Sequence, residues 1–162
     1  MKAWIGLGSN IGDGPAEIKR ALGALAAHPS MALLRRSPVY RTAPWGVRDQ
    51  ADFHNAVAEV NTELEPLPLL AALQQMEARL GRKPARGRWQ PRRIDLDLLL
   101  LEDRIYFLPG LTVPHPRMHR RAFVLAPLAA IEPSLVIPGR GTVQSCLSRL
   151  APQGIERVQE KD

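Results

Sequence analysis

Two aspartates, Asp95 and Asp97, stand two positions apart in the otherwise aliphatic segment 94–101. Such a run predicts a strand buried on at least one face, where side chains at i and i+2 share a face roughly 6.5–7 Å apart. Two carboxylates on a dry strand repel each other unless cations neutralise them. Two Mg²⁺ ions about 3.5–4 Å apart would fit this spacing, sharing carboxylate oxygens with substrate phosphates. The alternative is an edge strand whose polar face pairs with arginines.

An arginine-rich segment immediately precedes the two aspartates. Residues 79–93 contain seven basic side chains and no acidic one. Arginine presents a planar fork of donors that suits phosphate, and carboxylate-bound Mg²⁺ beside mobile arginines is the equipment of phosphoryl transfer. Pro84, Gly87 and Pro91 disfavour regular structure, so the segment is suited to close as a lid. A solvated basic turn or a nucleic-acid patch remains the alternative for the segment alone.

Three further polar residues stand where a ligand could use them. Asn55 lies beside Phe53 in an alternating strand pattern, and an amide can pair with the donor–acceptor edge of a flat heterocycle. His115 is held between two prolines near Arg117 and Arg121, which suits phosphate contact. Glu77 shortly precedes the arginine segment, a position from which it could pair with Arg82. A satisfied core amide, a surface turn and a solvated carboxylate are the respective alternatives.

The glycine-rich segment 6–14 invites a nucleotide-binding interpretation, which its spacing does not support. The dinucleotide fingerprint requires a third glycine where Ile11 stands, and the Gly-Lys-Ser/Thr of a phosphate-binding loop is absent. We therefore predict a tight turn from a strand into a helix.

The elements that must position these residues follow from hydrophobic periodicity. Helices are predicted after Gly12, after Pro66 with a cap at Gly81, and over two later segments. The predicted strands are 3–8, 31–42, 53–62 and 94–101, and the two later helices are 122–131 and 143–150. Strands come in pairs separated by single helices, which favours an α+β sheet with helices packed on its faces.

Composition limits the class of protein. A chain of 162 residues with 45% apolar and 23% charged residues predicts one globular domain, residues 1–162, rather than disorder. The single Cys146 suggests a reducing compartment, and neither a signal peptide nor a membrane-length apolar run is visible, so we expect a cytoplasmic protein. The net charge, 22 − 16 = +6, is concentrated in two arginine-rich segments, 79–93 and 115–121.

Taken together, the motifs resemble the 6-hydroxymethyl-7,8-dihydropterin pyrophosphokinase family over about residues 4–138. The motifs that carry the resemblance are Gly-Ser-Asn at 8–10, Tyr-Arg-Thr-Ala-Pro-Trp-Gly at 40–46, Asp-Phe-His-Asn-Ala at 52–56, Arg-Trp-Gln-Pro-Arg-Arg-Ile-Asp-Leu-Asp at 88–97, Val-Pro-His-Pro-Arg-Met at 113–118 and Arg-Ala-Phe-Val-Leu at 121–125. The run at 88–97 is the most specific of them.

The resemblance implies a ferredoxin-like α+β fold and a monomeric, Mg²⁺-dependent enzyme of folate biosynthesis. It would transfer pyrophosphate from ATP to the pterin hydroxymethyl group and release AMP. Its partners would be these two small molecules, with neither nucleic acid nor membrane.

The site residues are carried over from the same resemblance. Asp95 and Asp97 would hold two Mg²⁺ ions, and Arg82 and Arg92 would join them as catalytic residues. The residues expected around the pterin are Thr42, Pro44, Phe53, Asn55, Trp89 and Phe123. The residues expected around ATP are Gln74, Glu77, Arg82, Arg88, Arg92, Leu98, Leu111, Thr112, His115 and Arg121.

The chain departs from the family pattern in several places, none of them at the paired aspartates. Gln90 stands where glycine is usual, Pro84 stands where arginine is frequent, and Trp45 and His54 are uncommon. Two other classes stay open at this point. A basic nucleic-acid-binding module would show a steep salt dependence and indifference to Mg-ATP, and an ordinary nucleotide kinase would release ADP rather than AMP.

Overall fold

The structure, a computed structural model, describes residues 1–10, 12–43, 52–81 and 94–159. Within these ranges it contains ten strands, four α-helices and one 3₁₀ turn, Met118–Arg120. The strands are β1 (Lys2–Ser9), β2 (Met31–Arg36), β3 (Tyr40–Thr42), β4 (Phe53–Thr62), β5 (Asp95–Leu101), β6 (Tyr106–Leu108), β7 (Leu111–Val113), β8 (Val136–Ile137), β9 (Gly141–Thr142) and β10 (Ile155–Arg157). The helices are α1 (Gly14–Ala27), α2 (Pro66–Arg79), α3 (Ala122–Ile131) and α4 (Val143–Ser148).

The main sheet is antiparallel and has the order β10-β3-β4-β1-β5, with β2 also pairing with β4. Helix α1 connects β1 to β2, and α2 connects β4 to β5. This is two split βαβ units side by side, so the predicted ferredoxin-like α+β fold is confirmed. Strands β6 and β7 form one separate hairpin, and β8 and β9 form another.

The sheet has two different faces, because side chains alternate along each strand. On the covered face, Ala3, Ile5 and Leu7 of β1 are buried in one core with residues of α1 and α2, such as Ile18 and Leu73. On the open face, β1 presents Trp4, Gly6 and Gly8. The two-residue period of the sequence thus separates the main core from a second surface.

The far end of the open face is closed by a second, smaller core. Trp4, Val57 and Leu100 are buried there with residues of α3 and α4, including Leu125 and Cys146. A β-bulge in β5 contributes to this core, since Ile5 pairs with Leu98 while the preceding Trp4 pairs with Leu100, leaving Leu99 as the extra residue. The bulge places Leu99 and Leu100 together in the second core, although they are adjacent in sequence.

The helices begin and end at the predicted signals. The Asp13 side chain accepts the Ala16 N–H (3.2 Å) at the start of α1, and Pro66 opens α2. Gly81 follows α2 with φ +96°, a left-handed conformation that glycine adopts readily. The predictions for α1, α2 and α3 are therefore confirmed, and α4 ends at Ser148 rather than residue 150.

The prediction of one continuous strand over residues 31–42 is wrong. Ser37 interrupts it: its N–H donates to the Val57 carbonyl, and its hydroxyl accepts the Val57 N–H, both at 2.8 Å. Pro38 follows and has no N–H to donate to a ladder. Two strands, β2 and β3, therefore pair with successive parts of β4. No helix within the described ranges is long and apolar enough to cross a membrane.

Candidate active site

A cleft of about 840 Å³ opens on the open face of the sheet, next to the second core, whose Val57, Leu99 and Val124 also line it. Residues of β1, β3, β4, β5 and β10 line it together with the start of α3 and the segment around His115. The lining residues are Gly6, Leu7, Gly8, Ser9, Asn10, Thr42, Ala43, Phe53, Asn55, Ala56, Val57, Asp95, Asp97, Leu99, His115, Arg117, Arg121, Ala122, Phe123, Val124, Gln153 and Ile155.

The floor of the cleft is set by strand register. Gly8 of β1 pairs with Asn55 on one side and with Asp95 on the other, and Gly6 pairs with Val57 and Asp97. Each glycine thus lies between a β4 side chain and a β5 carboxylate. Because glycine has no side chain, the central strand leaves an open trough between the amide and the two aspartates.

The trough leaves little room for a side chain at Gly8. A Cβ built on Gly8 would lie 2.8 Å from Asn55 Oδ1, closer than real Cβ contacts, and one on Gly6 would lie 3.4 Å from Leu99 Cδ2. The predicted turn into α1 is supplied further along, where Gly12 has φ +66°. Gly6 and Gly8 themselves are strand residues, and their lack of a side chain lets Leu99 and Asn55 approach β1 closely at the floor of the cleft.

Four of the expected pterin residues lie together along one side of the cleft. Thr42 pairs with Phe53 and Tyr40 pairs with Asn55 between β3 and β4, while Phe123 approaches from the start of α3. Within the described ranges the buried Thr42 Oγ1 has no hydrogen-bond partner, and the same holds for Ser9 Oγ at the end of β1. Both residues line the cleft, so a polar ligand there could satisfy these hydroxyls.

The opposite side of the cleft carries Asp95 and Asp97, both on the open face of β5 as predicted. The described residues contain no group of three His, Cys, Asp or Glu that could hold a metal on their own. Two carboxylates alone fit Mg²⁺, which keeps several waters and uses phosphate oxygens as further ligands. The donor set therefore suits Mg²⁺ bound jointly with a phosphate-bearing substrate, and not a closed all-protein metal site.

His115 lines the same cleft as the two aspartates and is hydrogen-bonded through both its backbone and its ring. Its N–H donates to the Leu99 carbonyl (2.9 Å), and its Nδ1 accepts the Arg117 N–H (3.2 Å). Burial, together with Arg121 and Arg117, lowers the pKa of His115 to about 4. The imidazole is consequently neutral near pH 7, and because Nδ1 accepts, the hydrogen-bond pattern assigns the ring proton to Nε2. His115 is thus a neutral hydrogen-bond donor.

Among the described residues, Arg121 and Arg117 are the arginines that line the cleft, and Arg121 is the one that contacts Phe123. Its guanidinium lies 5.4 Å from the centre of the Phe123 ring, within the range of a cation–π contact. Burial lowers the pKa of Arg121 and Arg117 lowers it further, while Asp97 opposes both. Arginine stays protonated at neutral pH despite such shifts, so a positive charge faces the aspartates across the cleft.

Five of the residues expected around ATP lie outside the cleft, near the sheet edge formed by β5. Leu98 and Leu111 are buried in the covered-face core, and Thr112 is half-buried on β7. On α2, Gln74 is exposed, whereas the buried Glu77 accepts the Leu96 N–H with Oε2 (2.9 Å). Glu77 thus fastens α2 to the strand that carries both aspartates.

Several expected site residues lie outside the residues that the structure describes. These are Pro44, Arg82, Arg88, Trp89 and Arg92, together with the family departures Trp45, Pro84 and Gln90. The fourth departure, His54, is described and packs against the first turn of α1, where a Cβ on Gly14 would lie 2.2 Å from His54 Nδ1. Burial lowers the pKa of His54.

Sequence reasoning missed four lining residues with clear structural roles. Gly6 and Gly8 were placed in the first strand, but their role in the floor of a cleft was not predicted, although two glycines at alternating positions of one strand are a signal for a flat floor. Gln153 and Ile155 follow the last predicted helix, in a segment with no periodicity to mark it.

The chain folds as an antiparallel sheet whose open face carries a cleft, with two glycines at its floor and with aspartates and arginines in its lining. This fold and this cleft define a small α+β ligand-binding domain. Residues 4–133 match the family model of 7,8-dihydro-6-hydroxymethylpterin-pyrophosphokinase. With this match over most of its length, the chain belongs to that family of pyrophosphokinases.

Relatives support the assignment over nearly the whole chain. The chain is 48% identical to the 2-amino-4-hydroxy-6-hydroxymethyldihydropteridine pyrophosphokinase of Methylorubrum extorquens, over 98% of this chain and 99% of the relative. It is 41% identical to the enzyme of the same name from Pseudomonas aeruginosa, over 98% and 97%. Among solved structures, the Plasmodium falciparum HPPK-DHPS triple mutant matches the fold with a TM-score of 0.73 at 14% identity. That match covers 91% of this chain, which spans only 44% of the Plasmodium chain.

Proposed function

We propose that this pyrophosphokinase transfers pyrophosphate from ATP to the hydroxymethyl group of 6-hydroxymethyl-7,8-dihydropterin, giving the pterin diphosphate and AMP, as a step of folate biosynthesis. The observation that carries the proposal is the register of three strands, which sets Asn55 and two carboxylates on opposite sides of a glycine trough. A flat heterocycle with a phosphate acceptor at one end fits a trough with these two sides.

The pterin ring would lie over Gly8, against Asn55. A side-chain amide offers both donors and an acceptor, which matches the alternating donor–acceptor edge of a pterin. Phe53 is 38% exposed although it lines the cleft, so it has free apolar surface for an aromatic ligand. Phe123 would contribute the second ring. Thr42 would complete this side with its unsatisfied hydroxyl, and Pro44 and Trp89 are proposed there from the family motif.

The triphosphate would lie on the other side of the trough, near Asp95 and Asp97. These carboxylates would hold two Mg²⁺ ions, which when bound neutralise phosphate charge and orient the transferred group. His115, neutral and with its proton on Nε2, would donate a hydrogen bond to a phosphate oxygen. Arg121 and Arg117 would add positive charge from the side of α3.

In the transfer, the pterin hydroxymethyl oxygen attacks the β-phosphorus of ATP, and the bond from that phosphorus to the α-phosphate oxygen breaks. AMP leaves with that oxygen, and the hydroxyl proton is released to solvent or phosphate. No described residue is placed as an obvious general base, so positioning and charge stabilisation dominate the catalysis. Arg82 and Arg92 are proposed as catalytic cations from the family motif.

The rest of ATP would extend past the edge strand β5. Leu98, Leu111 and Thr112 lie at that edge, and α2 brings Gln74 and Glu77 to the same side. Arg88 is proposed as a further ATP contact. Because Glu77 is bonded to the β5 backbone, its main contribution is to hold the edge strand in place.

We also propose that residues 1–162 act as a single domain and as a cytoplasmic monomer, with two small-molecule substrates and neither nucleic acid nor membrane as partner. The buried, unpaired Cys146 is consistent with a reducing compartment.

A single assay tests the proposed reaction. The purified chain is incubated with the reduced pterin, ATP and Mg²⁺, and the nucleotide product is separated. We expect AMP in stoichiometric amount with pterin diphosphate, and no product without Mg²⁺. ADP would instead indicate an ordinary kinase. If neither AMP nor ADP is formed and the chain binds RNA or DNA in a salt-sensitive way, the result would favour the nucleic-acid-binding module.

A further inference from the structure

The C-terminal segment is fastened to the sheet beside the cleft. Strand β10 pairs with β3, with Ile155 opposite Thr42, and the Val158 N–H donates to the Val39 carbonyl (2.8 Å). The Arg41 guanidinium donates to Glu156 Oε2 at 2.6 Å. Gln153, just before β10, and Ile155, the first residue of β10, are thereby brought to the edge of the cleft, which both line.

Helix α3 begins at the cleft without a cap from its own sequence. Its N-cap residue, Arg121, makes no side-chain capping hydrogen bond, so the first N–H groups of the helix need another acceptor. Gln153 supplies one from 31 residues further along the chain, since its Oε1 accepts the Ala122 N–H at 2.9 Å. Its Nε2 also donates to the Arg120 carbonyl at 3.3 Å.

The two hydrogen bonds of Gln153 bracket Arg121. One partner is the residue before Arg121 and the other is the residue after it, and Phe123 follows within the first turn of α3. The Gln153 amide therefore joins the backbone on both sides of Arg121 at the start of the helix. Backbone groups joined in this way shift together, so losing the amide would displace both side chains.

We propose that Gln153 is a positioning residue of the reaction, which holds Arg121 and Phe123 over the cleft by capping α3 from the C-terminal segment. The proposal rests on the proposed assignment of Arg121 to ATP and of Phe123 to the pterin. It extends the functional part of the chain beyond residue 133, where the family match ends.

The experiment compares three substitutions in the full-length chain. Gln153→Leu removes both hydrogen bonds at similar size, Gln153→Asn shortens the amide by one methylene, and Gln153→Glu keeps the acceptor for the Ala122 N–H. We expect Gln153→Leu and Gln153→Asn to raise KM for the pterin and for ATP about three- to tenfold, as expected for a lost hydrogen bond. Gln153→Glu keeps the bond from the Ala122 N–H but loses the donor to the Arg120 carbonyl, so its KM values should rise less than those of the other two variants.

The matched control is Thr142→Ala. Thr142 caps α4 by accepting the Ser145 N–H (3.1 Å) and does not line the cleft, so this variant loses a helix cap without disturbing α3. It should lower Tm while leaving both KM values unchanged. If Gln153 has a purely structural role, its variants should resemble Thr142→Ala. They would then have a lower Tm or a smaller fraction of active enzyme, with unchanged KM values.

Unchanged KM values in Gln153→Leu and Gln153→Asn would overturn the proposal, and so would an equal rise in Gln153→Glu. If Gln153→Leu does not fold, the comparison of Gln153→Asn with Gln153→Glu decides. Calorimetric titration of the wild type and the Gln153 variants with the pterin compares their affinities without requiring turnover. A wild-type chain that binds pterin but forms no AMP therefore counts against the proposed function, and the variant series still tests Gln153.

Discussion

The two faces of the sheet are built from alternate residues of the same strands, yet they serve opposite purposes. In β1, Ala3, Ile5 and Leu7 are fully or almost fully buried beneath α1 and α2. On the other face of the same strand, Trp4 is buried in the second core, whereas Gly6 and Gly8 carry no side chain at the cleft. The covered face stabilises the fold by burying apolar side chains, and the open face provides the cleft in which a ligand can bind.

The difference shows how a small domain can separate stability from binding. Burial of aliphatic side chains on the covered face supplies the main hydrophobic contribution. The open face is closed only at its far end, where Trp4, Leu100 and α3 pack together, and the cleft occupies the rest. Substitutions on the covered face should therefore change stability, and substitutions on the open face should change the kinetic constants.

The largest effect is expected for Asp97→Ala on the open face. Removing one of the two carboxylates should reduce kcat by about 10³ or more, the scale of losing a main electrostatic contribution to the transition state. Because Asp97 is exposed, the free energy of unfolding should change by less than about 1 kcal/mol. AMP formation and urea denaturation measure the two quantities.

The control for this variant is Asp103→Ala, which removes an exposed carboxylate from the turn that follows the same strand. It should leave kcat unchanged. Wild-type turnover by Asp97→Ala would remove Asp97 from the proposed metal site, and a large loss of stability would contradict the separation of the two faces.

The second effect belongs to the covered face. Leu25 of α1 is fully buried in its core, and Leu25→Ala should lower the free energy of unfolding by about 3 kcal/mol through lost burial and a cavity. Below the unfolding temperature, kcat and KM should stay near wild type. The matched control is Leu34→Ala. Because Leu34 is 46% exposed, this substitution should lower the free energy of unfolding only slightly. A selective rise in KM in Leu25→Ala would show that the core and the cleft are coupled.

The sequence predicted the covered face better than the open one. Strands β1 and β4 and helices α1 and α2 follow from a strong period and clear caps, including Gly81 after α2. Both faces of β4 were predicted, because alternation places Ala56 and Asn55 on opposite sides wherever a strand forms. The α+β fold class could be predicted from the order of these strands and helices alone.

The remaining features depend on distant contacts that local patterns do not record. Ser37 ends β2 through hydrogen bonds to Val57, 20 residues away, so residues 31–42 looked continuous. Gly8 was placed in the first strand, but the sequence does not reveal that its neighbours in the sheet are Asn55 and Asp95. Gln153 carries no local signal, since its partner Ala122 is 31 residues earlier. The bulge at Leu99 likewise follows from pairing with β1.

The third prediction tests the trough itself. In Gly8→Ala, the new Cβ would lie 2.8 Å from Asn55 Oδ1 and must displace the amide. Misplacing a substrate-binding group should raise KM for the pterin about 10- to 100-fold, with a smaller change in KM for ATP. Steady-state kinetics with each substrate varied in turn measures the two constants.

Gly23→Ala is the matched control, because the same substitution in the middle of α1 meets no atom within 4 Å. It should raise the free energy of unfolding by about 0.5–1 kcal/mol and leave KM unchanged. Gly8→Ala with a normal KM for the pterin would mean that the ligand does not lie over the glycine floor.

The smallest effect concerns His115, which lies beside the cleft but also contributes to stability. Its pKa is about 4 when folded against an ordinary 6.5, so between these values the unfolded chain binds more protons than the folded one. The free energy of unfolding should therefore fall as pH drops through this range, and stay unaffected by His115 above it. Because the ring is partly exposed, the loss between about pH 7 and pH 5 should be only about 1 kcal/mol.

Comparing wild type with His115→Gln isolates this contribution, because glutamine does not titrate while its carbonyl oxygen can still accept the Arg117 N–H. Urea denaturation of both proteins at the two pH values should show a smaller decrease in the variant. An equal decrease would mean that His115 is protonated as readily in the folded chain as in the unfolded one. The neutral imidazole donating from Nε2 would then be the wrong description of this side of the cleft, and the phosphate would meet a third cation instead of a neutral donor.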